Sequence, residues 1–203
     1  VKKLIGNYGN YATYVSDQNG AFVLDPQVNA KDPEITENED GSKTYRFFLH
    51  DDLVWNDGTP ITANDYVFSL LWAAAPEWHA VGADLSRSAG DGIVGAKEYR
   101  EGKSNSIEGI KVVDEHTFEV TIEAEKLPYF YEQALASSSP SPMHRFAPDL
   151  QIGEDGSSLV VKDGVEFTDE LKKSYIDGIN SDIEAINEEI EAIKADEEME
   201  DAD

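Results

Sequence analysis

The chain has 203 residues, no cysteine, 40% hydrophobic side chains, and 42 Asp and Glu against 16 Lys and Arg, a formal charge of -26 at pH 7. That balance repels a phosphate backbone and no basic run reverses it locally, so nucleic acid is excluded as a partner. Without cysteine there is no thiolate nucleophile, disulfide scaffold or Cys-based metal site, and no apolar run approaches the roughly 20 residues of a membrane helix.

Val1 opens the sequence with no Met, charged n-region or apolar h-region, which implies a removed leader or a piece of a longer protein. Residues 1–150 carry nearly all the aromatics and the turn pairs Asn19-Gly20, Asp40-Gly41, Asp57-Gly58 and Asp91-Gly92 of a folded domain. A hairpin is expected around Asp40-Gly41, with Ile35 and Thr36 before it and the strand Thr44–Leu49 after it. Tyr45, Phe47 and Leu49 share one face of that strand, and Arg46, Phe48 and His50 the other.

Trp55-Asn56-Asp57-Gly58-Thr59-Pro60 reads as a tight turn leading into a helix capped by Thr62, with Asp65 three residues on as a short capping box. Tyr66, Val67, Leu70, Leu71 and Ala74 form one stripe, and Phe68, Trp72 and Ala75 cover much of the rest. A helix apolar on most sides belongs inside, and it stops before Pro76. A second helix is expected over Ile93–Glu101, ended by Gly102, and a third over Leu127–Ala136 with Pro128 in its first turn. Between them Ile110 and Val112, the turn Asp114-Glu115, and Phe118, Val120 and Ile122 alternating with polar residues read as a second hairpin. Interspersed strands and helices make the class mixed α/β (α+β).

Ser137–Pro142 is expected to be extended, and residues 151–174 to be an irregular linker. From Tyr175 onward Ile176, Ile179, Ile183, Ile186, Ile190 and Ile193 recur at alternating spacings of three and four, an a/d seam on an acidic helix filling 175–203 with a disordered end. Residues 163–203 hold 16 acidic and 3 basic side chains, about half the net charge. The seam reads either as an amphipathic helix laid on a neighbouring surface or as a protein–protein interaction module.

Chemistry is harder to find. His50, His79, His116 and His144 stand apart from any metal-ligand spacing, and Asp17-x-Asn19-Gly20 fails as a calcium loop because Val15 and Pro26 fall at ligand positions. The serines at 137–141 near His144 invite a nucleophile reading, yet no Gly-x-Ser-x-Gly elbow surrounds them. No catalytic residue, metal ligand or cofactor is nominated.

The linear pattern does resemble one family. Thr44-Tyr45-Arg46-Phe47-Phe48-Leu49, then Leu53 through Ser69 (LVWNDGTPITANDYVFS), is similar to the signature block of the family-5 extracellular solute-binding proteins, the oligopeptide, dipeptide and nickel receptors of ABC importers. Gly95-Ala96-Lys97-Glu98-Tyr99, Ile110–Asp114, Thr117–Val120, Pro128–Tyr131 and Ser141-Pro142 follow in the family's order. The resemblance implies a periplasmic-binding-protein type II-like fold of antiparallel hairpins packed on helices, with 1–150 as accessory domain and partial first lobe. It implies capture of a peptide or other small solute, delivery to ABC permease subunits, no enzymatic activity, and a location on the extracellular face of the cytoplasmic membrane or in the periplasm, held by a lipid anchor absent from this sequence. After Ser141-Pro142 the hinge and second lobe expected of the family do not follow, so the chain reads as a fragment or as a member with an inserted acidic segment.

Within the signature, Trp55, Asp57, Gly58, Thr59, Pro60, Thr62 and Asp65 are explained by turn geometry and packing. By position in the family, Tyr8 and Tyr11 before the signature, and Trp78 and His79 in the loop after the buried helix, are the candidate ligand contacts, as aromatic walls or hydrogen-bond donors.

Overall fold

The computed structural model describes residues 11–80, 92–127, 132–166 and 168–200. It divides into two units, residues 1–162 and 163–203. In chain order the first unit contains β1 (Tyr14–Ser16), β2 (Phe22–Leu24), β3 (Glu34–Glu37), β4 (Lys43–Phe48), α1 (Ala63–Ala74), α2 (Pro76–Ala80), α3 (Ala96–Arg100), β5 (Ile110–Asp114) and β6 (Thr117–Ile122). A 3-10 turn at Ala124–Lys126, α4 (Glu132–Ala136), α5 (Met143–Phe146), β7 (Leu150–Ile152) and β8 (Leu159–Val161) complete it. The second unit holds one long helix, α6 (Asp169–Glu200).

The two expected hairpins join into one antiparallel sheet in the order β3-β4-β6-β5. Tyr45 pairs with Val120 and Phe47 with Phe118, which sends both sets of apolar side chains to one face. On the opposite face the same register sets Arg46 beside Glu119 at 2.6 Å and the Thr44 hydroxyl 2.9 Å from that of Thr121. Helix α1 covers the apolar face: the Tyr66 ring stacks on Phe118 at 4.9 Å, and Phe118 on Phe47 at 5.1 Å. Tyr66, Val67, Phe68 and Leu71 are fully enclosed, so α1 is the internal helix that its two-sided apolar pattern demands.

Several elements differ from expectation. Helix α1 ends at Ala74, but Pro76 opens a new short helix, since proline suits a first helical turn and bars only the continuation of the previous one; Trp78 and His79 therefore sit on α2 and not in a loop. The helix expected from Ile93 begins at Ala96, because Ile93 bridges to Ile122 of the sheet and Gly95 turns the chain in the left-handed region at φ 77°. Of the helix expected over Leu127–Ala136, Glu132–Ala136 is helical and residues 128–131 lie outside the described set.

Residues 151–174 are not wholly irregular. β7 and β8 form a hairpin whose turn is closed by Asp155 Oδ1, which accepts the N–H groups of Ser157 and Ser158 at 3.0 and 3.1 Å. The Gly156 carbonyl accepts the Val112 N–H at 2.8 Å, tying the hairpin to the sheet. Helix α6 starts at Asp169, six residues ahead of Tyr175, with Asp169 and Glu170 in its first turn where carboxylates suit the helix dipole.

Candidate functional site

The signature block is a chain of backbone constraints. The Trp55 N–H donates to the Thr59 carbonyl at 2.8 Å, Gly58 returns to the Trp55 carbonyl at 3.0 Å, and Gly58 sits at φ 85°. Asp57 Oδ1 accepts the Thr59 N–H at 2.9 Å, while Oδ2 lies 2.8 Å from His144 Nε2 on α5. These contacts, the Thr59 bond first and His144 next, pull the Asp57 carboxyl down to about 2.

Asp65 then anchors α1. Its Oδ2 accepts the Thr62 N–H at 2.9 Å, the reciprocal half of the capping box, and its Oδ1 accepts the Met143 N–H at 3.1 Å. The Asp65 carbonyl also receives the Ser141 N–H, at 3.2 Å. Burial raises the Asp65 carboxyl above its ordinary value, against the opposing pull of the bonds from Thr62 and Met143. Asp65 thus holds the start of α1 and the start of α5 through its side chain, and the extended Ser-Pro segment through its carbonyl.

The segment leading into β1 runs alongside. Tyr11 is held at φ 42°, a conformation uncommon for a residue with a side chain. Its carbonyl accepts the Tyr66 hydroxyl at 2.6 Å, its own hydroxyl donates to the Val54 carbonyl at 3.1 Å, and its ring meets Trp55 edge-on at 6.2 Å. Two residues on, the Thr13 N–H donates to the Ser138 carbonyl at 2.9 Å and the Ser138 N–H donates to the Thr13 hydroxyl at 3.1 Å. The Trp55 indole N–H is enclosed with no acceptor among the described residues.

Of the candidate ligand contacts, Tyr11 is thus brought against the signature through Trp55. Trp78 lies elsewhere in the aromatic framework, edge-on to Trp72 at 5.5 Å, and Trp72 in turn contacts Phe68 at 5.6 Å. No ring contact joins Tyr11 to Trp78. Tyr8 lies outside the described residues, as does the side chain of His79. The ties of Asp57 to His144 and Asp65 to Met143 span 87 and 78 positions, and no local pattern in the sequence announces them.

A groove of about 260 Å³ opens beneath the turn, lined by Thr59, Thr62, Asn64, His144, Ile152 and Lys162 among others. Its lining holds no serine, and His144 is engaged by Asp57. The Ser141 hydroxyl donates instead to that of Ser69, at 3.3 Å. The arrangement holds a shape and offers backbone and aromatic surface.

Comparison with known proteins places this framework. The family described as "Bacterial extracellular solute-binding proteins, family 5 Middle" matches residues 27–179. The periplasmic oligopeptide-binding protein OppA of Escherichia coli is 38% identical over 111 residues, covering 54% of this chain and 20% of that protein. Among solved structures, Listeria monocytogenes OppA bound to peptide superposes with a TM-score of 0.54 at 29% identity, over 69% of this chain and 26% of the other. A periplasmic oligopeptide-binding protein from Borrelia burgdorferi gives 0.51 at 32% identity, over 66% and 25%. The match therefore spans about a fifth of the length of its curated relatives. The fold is the mixed α/β arrangement of periplasmic binding proteins of type II. Among the described residues no helix is long and apolar enough to cross a membrane.

Proposed function

The chain belongs to the family-5 bacterial extracellular solute-binding proteins, and from that membership we propose that it is part of the substrate-binding component of an ABC importer of oligopeptides. It captures a peptide outside the cytoplasmic membrane, on the extracellular face or in the periplasm, and a permease receives it. It performs no chemistry, and ATP hydrolysis by separate subunits drives uptake. A lipid anchor carried outside this sequence holds the receptor at the membrane.

The observation that carries this reading is the likeness to peptide-bound OppA over 69% of the chain, together with a relative at 38% identity named for oligopeptide binding. The framework suits the task physically. An extended peptide is bound through main-chain hydrogen bonds and tolerant side-chain pockets, which require walls that do not move. Tyr11, fixed by two hydrogen bonds and an aromatic edge in a strained backbone conformation, is such a wall, since strain persists only where neighbours over-determine it. In this reading Tyr8, Trp78 and His79 supply further contact surface.

The test is titration of the chain with tri- to pentapeptides bearing free termini, followed by calorimetry and by tryptophan fluorescence. Saturable binding that Tyr11→Ala and Trp78→Ala each weaken is expected. If both variants keep the parent affinity, those residues are not ligand contacts. If no peptide binds, the claim that this chain carries peptide-contacting surface fails.

A further inference from the structure

Helix α6 runs unbroken for 32 residues and carries all six isoleucines of the seam. Ile176, Ile183 and Ile190, at heptad position a, are 57%, 49% and 41% exposed. Ile179, Ile186 and Ile193 occupy position d in the sequence. Such a helix does not persist on local preference. Isoleucine is a middling helix former, and half of the 12 carboxylates have no lysine three or four positions away in the sequence. Helices of this kind take most of their stability from an apolar neighbour. Among the described residues, α6 is the sole regular element of its own unit.

The residues flanking the seam say what fits. Position g is Asp182, Glu189 and Asp196, and position e is Asn180, Asn187 and Lys194. In an antiparallel pair, g faces g and e faces e, so acidic residues would oppose acidic residues along one edge. In a parallel arrangement, each g faces the e of the following heptad, which sets Asp182 against Asn187 and Glu189 against Lys194 of the neighbouring helix. The parallel pairing keeps Asp182 and Glu189 from opposing acidic residues and adds an attraction. Isoleucine at both a and d favours three or four helices over two.

We propose that α6 docks on two further copies of this chain, forming a parallel three-helix coiled coil along the isoleucine seam. This goes beyond the peptide-binding reading and stands apart from it, because its residues lie in residues 163–203 alone. The seam is short and the helices repel one another overall, so the association is concentration-dependent and strengthens as salt screens the carboxylates.

Sedimentation equilibrium of the full chain, at low and high salt, tests the proposal. The expected mass rises with concentration from 22.4 kDa toward about three times that value, more readily at high salt. The double variant Ile183→Ser, Ile190→Ser is expected to stay monomeric. Trp55, Trp72 and Trp78 all lie within residues 1–162, so an unchanged tryptophan spectrum certifies that the first unit is intact in that variant. Lys194→Glu is expected to weaken association by several-fold, since it turns the one attractive pair repulsive; in an antiparallel pair that sets Ile176 against Ile193, Lys194 would oppose Lys173 and the same change would strengthen association. Because the chain has no cysteine, Ile176→Cys gives a clean orientation readout. Self-crosslinking on oxidation is expected of parallel helices, whereas crosslinking only between Ile176→Cys and Ile193→Cys chains overturns the proposal. A mass that stays monomeric at every concentration and salt, or that levels off at two chains, overturns it as well. Peptide titration of the double serine variant keeps the two readings distinguishable.

Discussion

The Oδ1 of Asp65 accepts the backbone N–H of Met143 at 3.1 Å, joining the first turn of α1 to a segment 78 positions further along the chain. The other oxygen of the same carboxylate closes the cap on Thr62. Asp65→Ala should therefore strand two backbone donors at once. With about 1–3 kcal/mol for each buried donor left unmade, the expected loss is roughly 2–4 kcal/mol, and about half that for Asp65→Asn, which keeps one acceptor. Urea titration followed by tryptophan fluorescence measures it, and an Ala variant within about 0.5 kcal/mol of the parent would deny Asp65 its anchoring role.

Asp57 gives a prediction in pH. Its carboxyl titrates at about 2 in the folded chain against an ordinary 3.8, so it stabilises the fold fully above the higher value and loses that contribution as pH falls through the lower. The urea midpoints of the parent and Asp57→Asn should therefore converge as pH drops from 5 toward about 2 and stay separated above that range. A gap between them that does not vary with pH would show that the charge on Asp57 contributes nothing. Asp65 acts in the opposite sense: its raised value means that protonation relieves a burial penalty as pH falls through the folded value.

The strained wall at Tyr11 depends on a donor from the core. Tyr66→Phe keeps the stacked ring and removes the hydroxyl that reaches the Tyr11 carbonyl at 2.6 Å. The expected cost is about 1 kcal/mol. More telling is the tryptophan spectrum, which should change as Tyr11 leaves φ 42° and its edge contact with Trp55 loosens. An unaltered spectrum would mean that other contacts fix Tyr11.

Two glycines with similar backbone angles separate conformational strain from steric conflict. Gly58, at φ 85°, has open space where a Cβ would stand, so Gly58→Ala should cost only the left-handed penalty of about 1–2 kcal/mol. Gly95, at φ 77°, would place a Cβ 2.9 Å from the Glu108 backbone nitrogen, so Gly95→Ala should cost more by about 1–3 kcal/mol. Equal midpoints in urea would refute the distinction.

How much of this was legible in the sequence follows from where each determinant lies. β4 and β6 are long enough for alternation to show, and the register that sets Phe47 against Phe118 follows from keeping both apolar faces on one side. The turn at Asp57-Gly58 and the cap at Thr62 are local chemistry within a few residues, and both are formed. β7 and β8, at three residues each, are too short to display a period, and their turn rests on Asp155 accepting from serines that read equally well as loop. α2 hides because proline ends one helix and equally suits the first turn of the next. Nothing within a window of ten residues indicates that His144 meets Asp57, or that Tyr66 reaches Tyr11; those pairings belong to the assembled sheet and helix. The candidate site is thus half legible: the aromatic residues stand out, while the partners that aim them do not.

The outer strand β3 has a further bearing on how the molecule behaves among its own kind. All four of its residues are exposed at the rim of the sheet, where unpaired backbone could template ribbon growth. Glu34 closes one end, clasped by Lys31 at 2.9 Å and Arg46 at 3.7 Å, and Glu37 closes the other. An incoming strand would have to strip water from an ion pair at one end and from an exposed carboxylate at the other. The acidity that repels phosphate thereby doubles as a guard against fibre formation.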